Sequence, residues 1–205
     1  MSQNSIHPGR PRDPRVDDAL LRAGLEVFLS SGYHAATLTE IARRAKVSKP
    51  AIYRRWPTKA DMAMETVVIA IRPEPIPDTG SIREDLVTFL RFRLRTFRTP
   101  MVKRLLLPLI LESITQPRVG EAVGTWFRGY RKALDERIRK AIAAGQLRKD
   151  TDPTRLLDLL MGTVAMPVLF SQALPKDSDA REIVDQVLEG FATKRAQGGK
   201  ARPRP

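Results

Sequence analysis

The sequence predicts an all-α chain in two parts, a head of short helices and a body of longer ones. Three observations predict it. Apolar residues recur at helical spacing from Val16 onward. Hydroxyl residues followed three positions later by an acid open helices at Thr37, Thr58 and Ser81. No segment reads as a strand, and no short-period repeat occurs.

Residues 1–14 are polar with three prolines and are expected to form a mobile arm. Leu20, Gly24, Val27 and Phe28 then share one helical face, and Gly32 is expected to stop that helix. Thr37-Leu-Thr-Glu40 is a capping box opening a short helix that buries Leu38, Ile41, Ala42 and Ala45. A tight connection, residues 46–48, leads to a helix capped by Ser48, with Pro50 in its first turn. This helix is expected to reach about Trp56, where Pro57 ends it. Thr58 and Asp61 cap the next, which runs from Lys59 to about Ile71.

RPEPIPDTG, residues 72–80, is a Pro-rich break and the expected domain boundary. Four expected segments follow from it: arm 1–14, head 15–72, body 73–193 and basic disordered tail 194–205. In the body, Ser81 opens a helix to about Phe97, Pro100 one to Thr115, and a long helix covers about 118–144 before Gly145. Pro153 begins another, to about Ala173, and Asp177 or Ser178 opens the last, to about Thr193.

Charge is unevenly spread. The net charge is +13; residues 1–60 hold 11 Lys and Arg against 5 Asp and Glu, and residues 191–205 hold 5 against none. Residues 61–190 are nearly balanced, at 20 against 18. Basic ends suit a phosphate backbone, although a like-charged terminal run is also what a solvated tail looks like. There is no Cys, and the histidines His7 and His34 are far apart. That excludes disulfides, thiol catalysis and Cys-ligated zinc, and leaves a helical metal site without ligands. No catalytic residue, metal ligand or cofactor is expected. The start has no apolar stretch of a secretory signal. The uncharged run 159–175 is short for a span, holds Pro167, and reads as a buried helix. A cytoplasmic protein without membrane partners is expected.

The stretch KVSKPAIYRRWPTKAD, residues 46–61, separates its faces. Val47, Ile52 and Trp56 share the side that packs on the preceding helices. Lys49, Tyr53, Arg54 and Arg55 fall largely elsewhere, while Pro50 and Ala51 are small enough for close approach to a surface. A recognition helix in a DNA major groove needs this division. Arg and Lys bond guanine edges or phosphates, and a phenol reaches a phosphate without adding charge.

GYHAATLTEIARRAKVSKPAIYRRWPTKADM, residues 32–62, closely resembles the DNA-binding domain of TetR (tetracycline-repressor-like) regulators. The likeness covers about residues 15–70 and is carried by Phe28, Gly32-Tyr33, Thr37, Ile41-Ala42, Val47-Ser48, Ile52-Tyr53, Trp56-Pro57 and Lys59. Lys46 departs from it, standing where the family usually has Gly. The resemblance implies a helix-turn-helix DNA-binding head followed by a helical ligand-binding and dimerisation domain. It implies a homodimer, a double-stranded DNA operator and a small-molecule effector. By that likeness Thr37, Tyr53 and Lys59 would serve phosphates. Lys49, Pro50, Ala51 and Arg54 would approach bases, with Thr39 also at the DNA; Ser48 is either a DNA contact or purely a cap. In the arm, PGRPR sets Arg10 and Arg12 around Pro11, similar to the minor-groove core of AT-hooks, and a solvated arm is the other reading.

The body says less. Leu109, Glu112, Trp126, Phe127, Tyr130, Met166 and Phe170 are the expected effector-pocket residues, with core packing or solvent exposure the alternative for each. Pro108 is expected to kink its helix. Leu156, Leu160, Thr163 and Pro167, with Val184, Val187, Leu188 and Phe191, are the expected dimer interface, the alternative being that they cover their own subunit's core. The expected function is a ligand-responsive regulator on a pseudo-palindromic site, a repressor by the resemblance. An architectural DNA binder without effector is the alternative.

Overall fold

The computed structural model describes residues 14–71, 77–170 and 172–191, the side chain of Tyr130 apart. Residues 1–13 of the expected arm, with Arg10 and Arg12, and the tail lie outside the described residues, while Pro14 opens α1. The element order is α1 (Pro14–Ala35), α2 (Leu38–Arg44), α3 (Lys49–Tyr53), α4 (Lys59–Ala70), α5 (Ile82–Arg98), a π-helical turn (Val102–Leu106), α6 (Leu107–Thr115), α7 (Pro117–Ala143), α8 (Pro153–Leu169), a 3-10 turn (Asp177–Asp179) and α9 (Ala180–Glu189). The chain is all-α, with no strand among the described residues. Among those residues no helix is long and apolar enough to cross a membrane.

Local chemistry sets most ends. Gly32 takes φ 79°, so regular α1 breaks there and a final turn carries Tyr33. The Thr58 and Asp61 capping box is complete. Those at Thr37 and Ser81 are half-formed. Each hydroxyl accepts its amide, from Glu40 at 3.2 Å and from Glu84 at 3.5 Å. The acids turn instead to guanidinium groups, Glu40 to Arg43 and Glu84 to Arg181. A charge-assisted fork outweighs a single neutral amide. Gly145, at φ 72°, closes α7 as a Schellman cap, with its own amide on Ile142 and that of Gln146 on Ala141. The distortion expected at Pro108 takes the form of the π turn just before it, where the Leu107 amide reaches back to Val102. α3 ends at Tyr53, α8 at Leu169 and α9 at Glu189, each earlier than the sequence predicts.

Two apolar cores result. The first joins α1, α2, α3 and α4 through Leu20, Phe28, Ile41, Ile52 and Met62, and extends into Val102, Leu105, Leu106 and Leu109. The second joins α5, α7, α8 and α9 through Leu86, Leu90, Leu134, Leu156, Leu160 and Val184. The π turn and α6 therefore belong to the body in sequence but pack on the head.

The second core also corrects the expected dimer surface. Leu156, Leu160 and Val184 have no exposed area, and Leu188 and Phe191 are buried with them. These five face their own subunit. Thr163, Pro167 and Val187 are half-buried. The outward side of α8 instead carries Leu159, Met166 and Phe170, at 52%, 53% and 66% exposure. The helix is apolar on nearly every side, so periodicity alone misassigns which side turns in.

Candidate nucleic-acid interface

The connection between α2 and α3 is built from backbone hydrogen bonds. The Lys46 amide bonds to Arg43 and the Val47 amide to Ala42, a Schellman cap like that of α7. It places Lys46 at φ 56°, the one non-glycine residue with positive φ among the described residues. Ser48 holds the N-cap position of α3, but its hydroxyl makes no capping hydrogen bond. That hydroxyl is left for another partner.

α3 is anchored along one stripe. Ile52 has no exposed area and Trp56 only 4%, and the Trp56 indole donates to Glu65 at 2.6 Å. The opposite side faces solvent. Lys49, Pro50 and Arg54 are exposed, Tyr53 is 47% exposed, and Ala51 is half-buried. Thr37 is exposed beside them and Thr39 half-buried. Of the basic residues grouped there by sequence, Arg55 departs: its side chain is 12% exposed and turns inward to Asp17.

Lys59 is committed in part. Its ammonium donates to the His34 carbonyl at 3.0 Å and lies 4.5 Å from the centre of the Tyr33 ring. Burial pulls its pKa below the ordinary lysine value, while Glu112 of α6 pulls it back up. Glu112 also acts on the Tyr33 hydroxyl: burial, first, and that carboxylate push the phenol well above its usual value. Arg104, in the π turn, donates to the carbonyls of Leu29 and Ser30 at 2.7 and 2.8 Å. The end of α1 is thus held by Arg104 and feels the charge of Glu112, both from the body. Sequence reasoning missed this joint, because its partners lie more than seventy positions apart and no local pattern marks them.

The expected pocket residues scatter. Leu109 is fully buried in the first core, and Trp126 packs half-buried against it. Glu112 finds its basic neighbour in Lys59. Phe127 is 43% exposed, 5.3 Å from the Arg131 guanidinium. Met166 and Phe170 face outward on α8, and Tyr130 has its side chain outside the described residues. Two surface cavities are lined by other residues, one along α7 by Arg128, Arg131 and Arg139 among others, one between α1 and α4 by Leu21, Leu25 and Ile69 among others.

Comparison with known proteins follows the same division of the chain. Residues 20–66 match the family profile described as bacterial regulatory proteins, tetR family. Residues 76–187 match the tetracyclin repressor-like C-terminal domain. The chain is 32% identical over 184 residues to the HTH-type transcriptional regulator YdeS of Bacillus subtilis (strain 168), covering 89% of this chain and 92% of that one. Among solved structures it is similar to the TetR family transcription regulator SCO0332, with 30% identity, a TM-score of 0.71, and coverage of 87% of this chain and all of the other. It shares its fold with the flavonoid-responsive regulator FrrA at a TM-score of 0.67, 21% identity, and coverage of 89% and 100%.

Proposed function

This chain belongs to the tetR family of helix-turn-helix transcriptional regulators, and we propose that it is a dimeric repressor released from a pseudo-palindromic operator by a small molecule. The observation that carries the DNA reading is the division of α3. Ile52 and Trp56 are buried while Lys49, Pro50, Tyr53 and Arg54 stand outward. Lys49 and Arg54 read base edges, with Pro50 and Ala51 letting the backbone approach. Thr37, Thr39, Ser48, Tyr53 and Lys59 hold phosphates and fix the register. Arg10 and Arg12 of the arm enter the adjoining minor groove.

The dimer forms through the outward side of α8. Leu159, Met166 and Phe170 supply apolar area, and Gly162 between them has open space in front of it, so a partner helix can approach closely. The division into arm, head to residue 72, body from residue 73 and tail is part of the same proposal. A small apolar or amphipathic effector binds among the body helices. Its signal reaches the head through α6 and the π turn, where Arg104 bonds the end of α1 and Glu112 faces Tyr33 and Lys59 with its charge. The similar proteins are named as transcriptional regulators, and we assign no catalytic role.

The test compares affinity for a selected genomic site and for random DNA at fixed salt. Lys49→Ala and Arg54→Ala should each lower the ratio of the two by about tenfold, the worth of one base-edge interaction. An unchanged ratio would mean that α3 does not read sequence, and binding by the basic ends alone would replace the proposal.

A further inference from the structure

α3 has only five residues. Ile52 within it and Trp56, just past the turn that follows it, hold it through one buried side. Two apolar points on one line fix a helix's distance from its support but leave it free to roll about that line. A groove-reading helix cannot tolerate such roll, since direct readout needs each side chain aligned with one base edge. Some third point, off the stripe, must set the angle.

Arg55 supplies that point. It lies in the turn just beyond the C-cap Arg54, its amide bonded to the Ile52 carbonyl, and its side chain leaves the stripe. Its Nε donates to Oδ1 of Asp17 in the first turn of α1, and its Nη1 donates to the Ala51 carbonyl at 3.1 Å. The guanidinium therefore ties α3 to α1 across 38 positions of sequence. It also braces the turn it stands on. The side chains of Arg55 and Asp17 are 12% and 30% exposed, whereas Arg54 beside them is exposed. We propose that Arg55 and Asp17 form a positioning pair that sets the roll of the recognition helix, and that Arg55 makes no contact with DNA. The inference rests on the DNA reading of α3 given above. Adjacent arginines, alike in sequence, then have opposite duties: Arg54 faces the bases and Arg55 holds the angle.

The two duties differ in measurable ways. A cation that neutralises a phosphate contributes about 0.9 to the slope of log affinity against log salt. A positioning residue contributes to specific affinity but not to that slope. A lysine keeps the charge but cannot reproduce the two-nitrogen fork. Asp17, an anion, repels the DNA backbone, so loss of specific affinity in Asp17→Asn at unchanged helical content and Tm reports on Arg55.

The experiment uses the full chain and the best genomic site recovered by selection, with random DNA as reference. Selectivity of the wild type tests the functional reading; behaviour of the variants relative to wild type tests the pair. Arg55→Ala, Arg55→Lys and Asp17→Asn should each lower affinity for the selected site about tenfold. Their salt slopes and random-DNA affinities should match wild type, with helical content and Tm checked for each. The exchange Asp17→Arg with Arg55→Asp should recover most of that affinity. A slope lower by about 0.9 in Arg55→Ala would overturn the proposal. So would wild-type affinity in Arg55→Lys or Asp17→Asn, or an exchange variant no better than the worse single variant.

Discussion

Replacing Lys46 with glycine should stabilise the protein. Lys46 sits at φ 56°, where an L residue brings its Cβ too close to the backbone. That conformation costs about 1–2 kcal/mol. Glycine removes the cost but is freer in the unfolded chain, which takes back about 0.5–1 kcal/mol. Both hydrogen bonds of the turn are made by backbone groups, Lys46 to Arg43 at 3.2 Å and Val47 to Ala42 at 2.9 Å, so both survive the change. The Lys46 side chain is exposed and belongs to neither apolar core, so little packing is forfeited. The net expectation is a gain of about 0.5–1 kcal/mol, or about 2–3 °C in Tm for a chain of this size. Urea unfolding at one fixed protein concentration is the assay. The midpoint should rise with the slope m unchanged. A midpoint that stays or falls would mean that strain at Lys46 is not a cost the native fold carries.

Further outcomes concern the body. Asp85→Asn should cost about 3 kcal/mol in the same assay, since it leaves the buried Arg137 guanidinium short of its main counter-charge; Asp78, 3.3 Å from Arg137, limits the damage. Acid should weaken the α5–α9 packing. Arg95 and Arg98 hold the Asp177 carboxyl below its ordinary pKa, and Arg181 does so for Glu84. Each contribution is fully present above the unfolded pKa, about 4, and is lost as pH falls through the depressed folded value. Tm measured from pH 5 downward should therefore drop less steeply in Asp177→Asn and Glu84→Gln than in wild type. Met166→Glu should yield monomers in sedimentation while leaving helical content intact, because that side chain lies outside its own core.

Much of the fold is legible in the sequence because it is decided locally. Thr37, Thr58 and Ser81 cap helices with their own near neighbours, and Gly145 terminates α7 through its backbone alone. The four-residue spacing of Ile52 and Trp56 is enough to identify which side of α3 is buried. The failures share a cause. The capping-box pattern gives Glu40 and Glu84 to the backbone, yet arginines outcompete it, and for Glu84 the competitor stands 97 positions away. Arg55 looks like one of a group of surface cations until Asp17 meets it from α1. The π turn depends on Pro108 and on how the segment docks against the head, which composition does not encode. In α8 nearly every side is apolar, so Leu156 and Leu160 are as plausible outward as Leu159, and only packing against α5 and α7 decides.

Sequence-selective DNA binding is best put to the test by selection of genomic DNA with the full chain, followed by affinities on the best site and on random DNA across several salt concentrations. A short palindrome should be bound at least about a thousandfold more tightly than random DNA, on the order of the specificity of other regulators. Equal affinity for every sequence, with only a steep fall as salt rises, would rule out a recognition role for α3 and leave the basic ends as the sole source of binding.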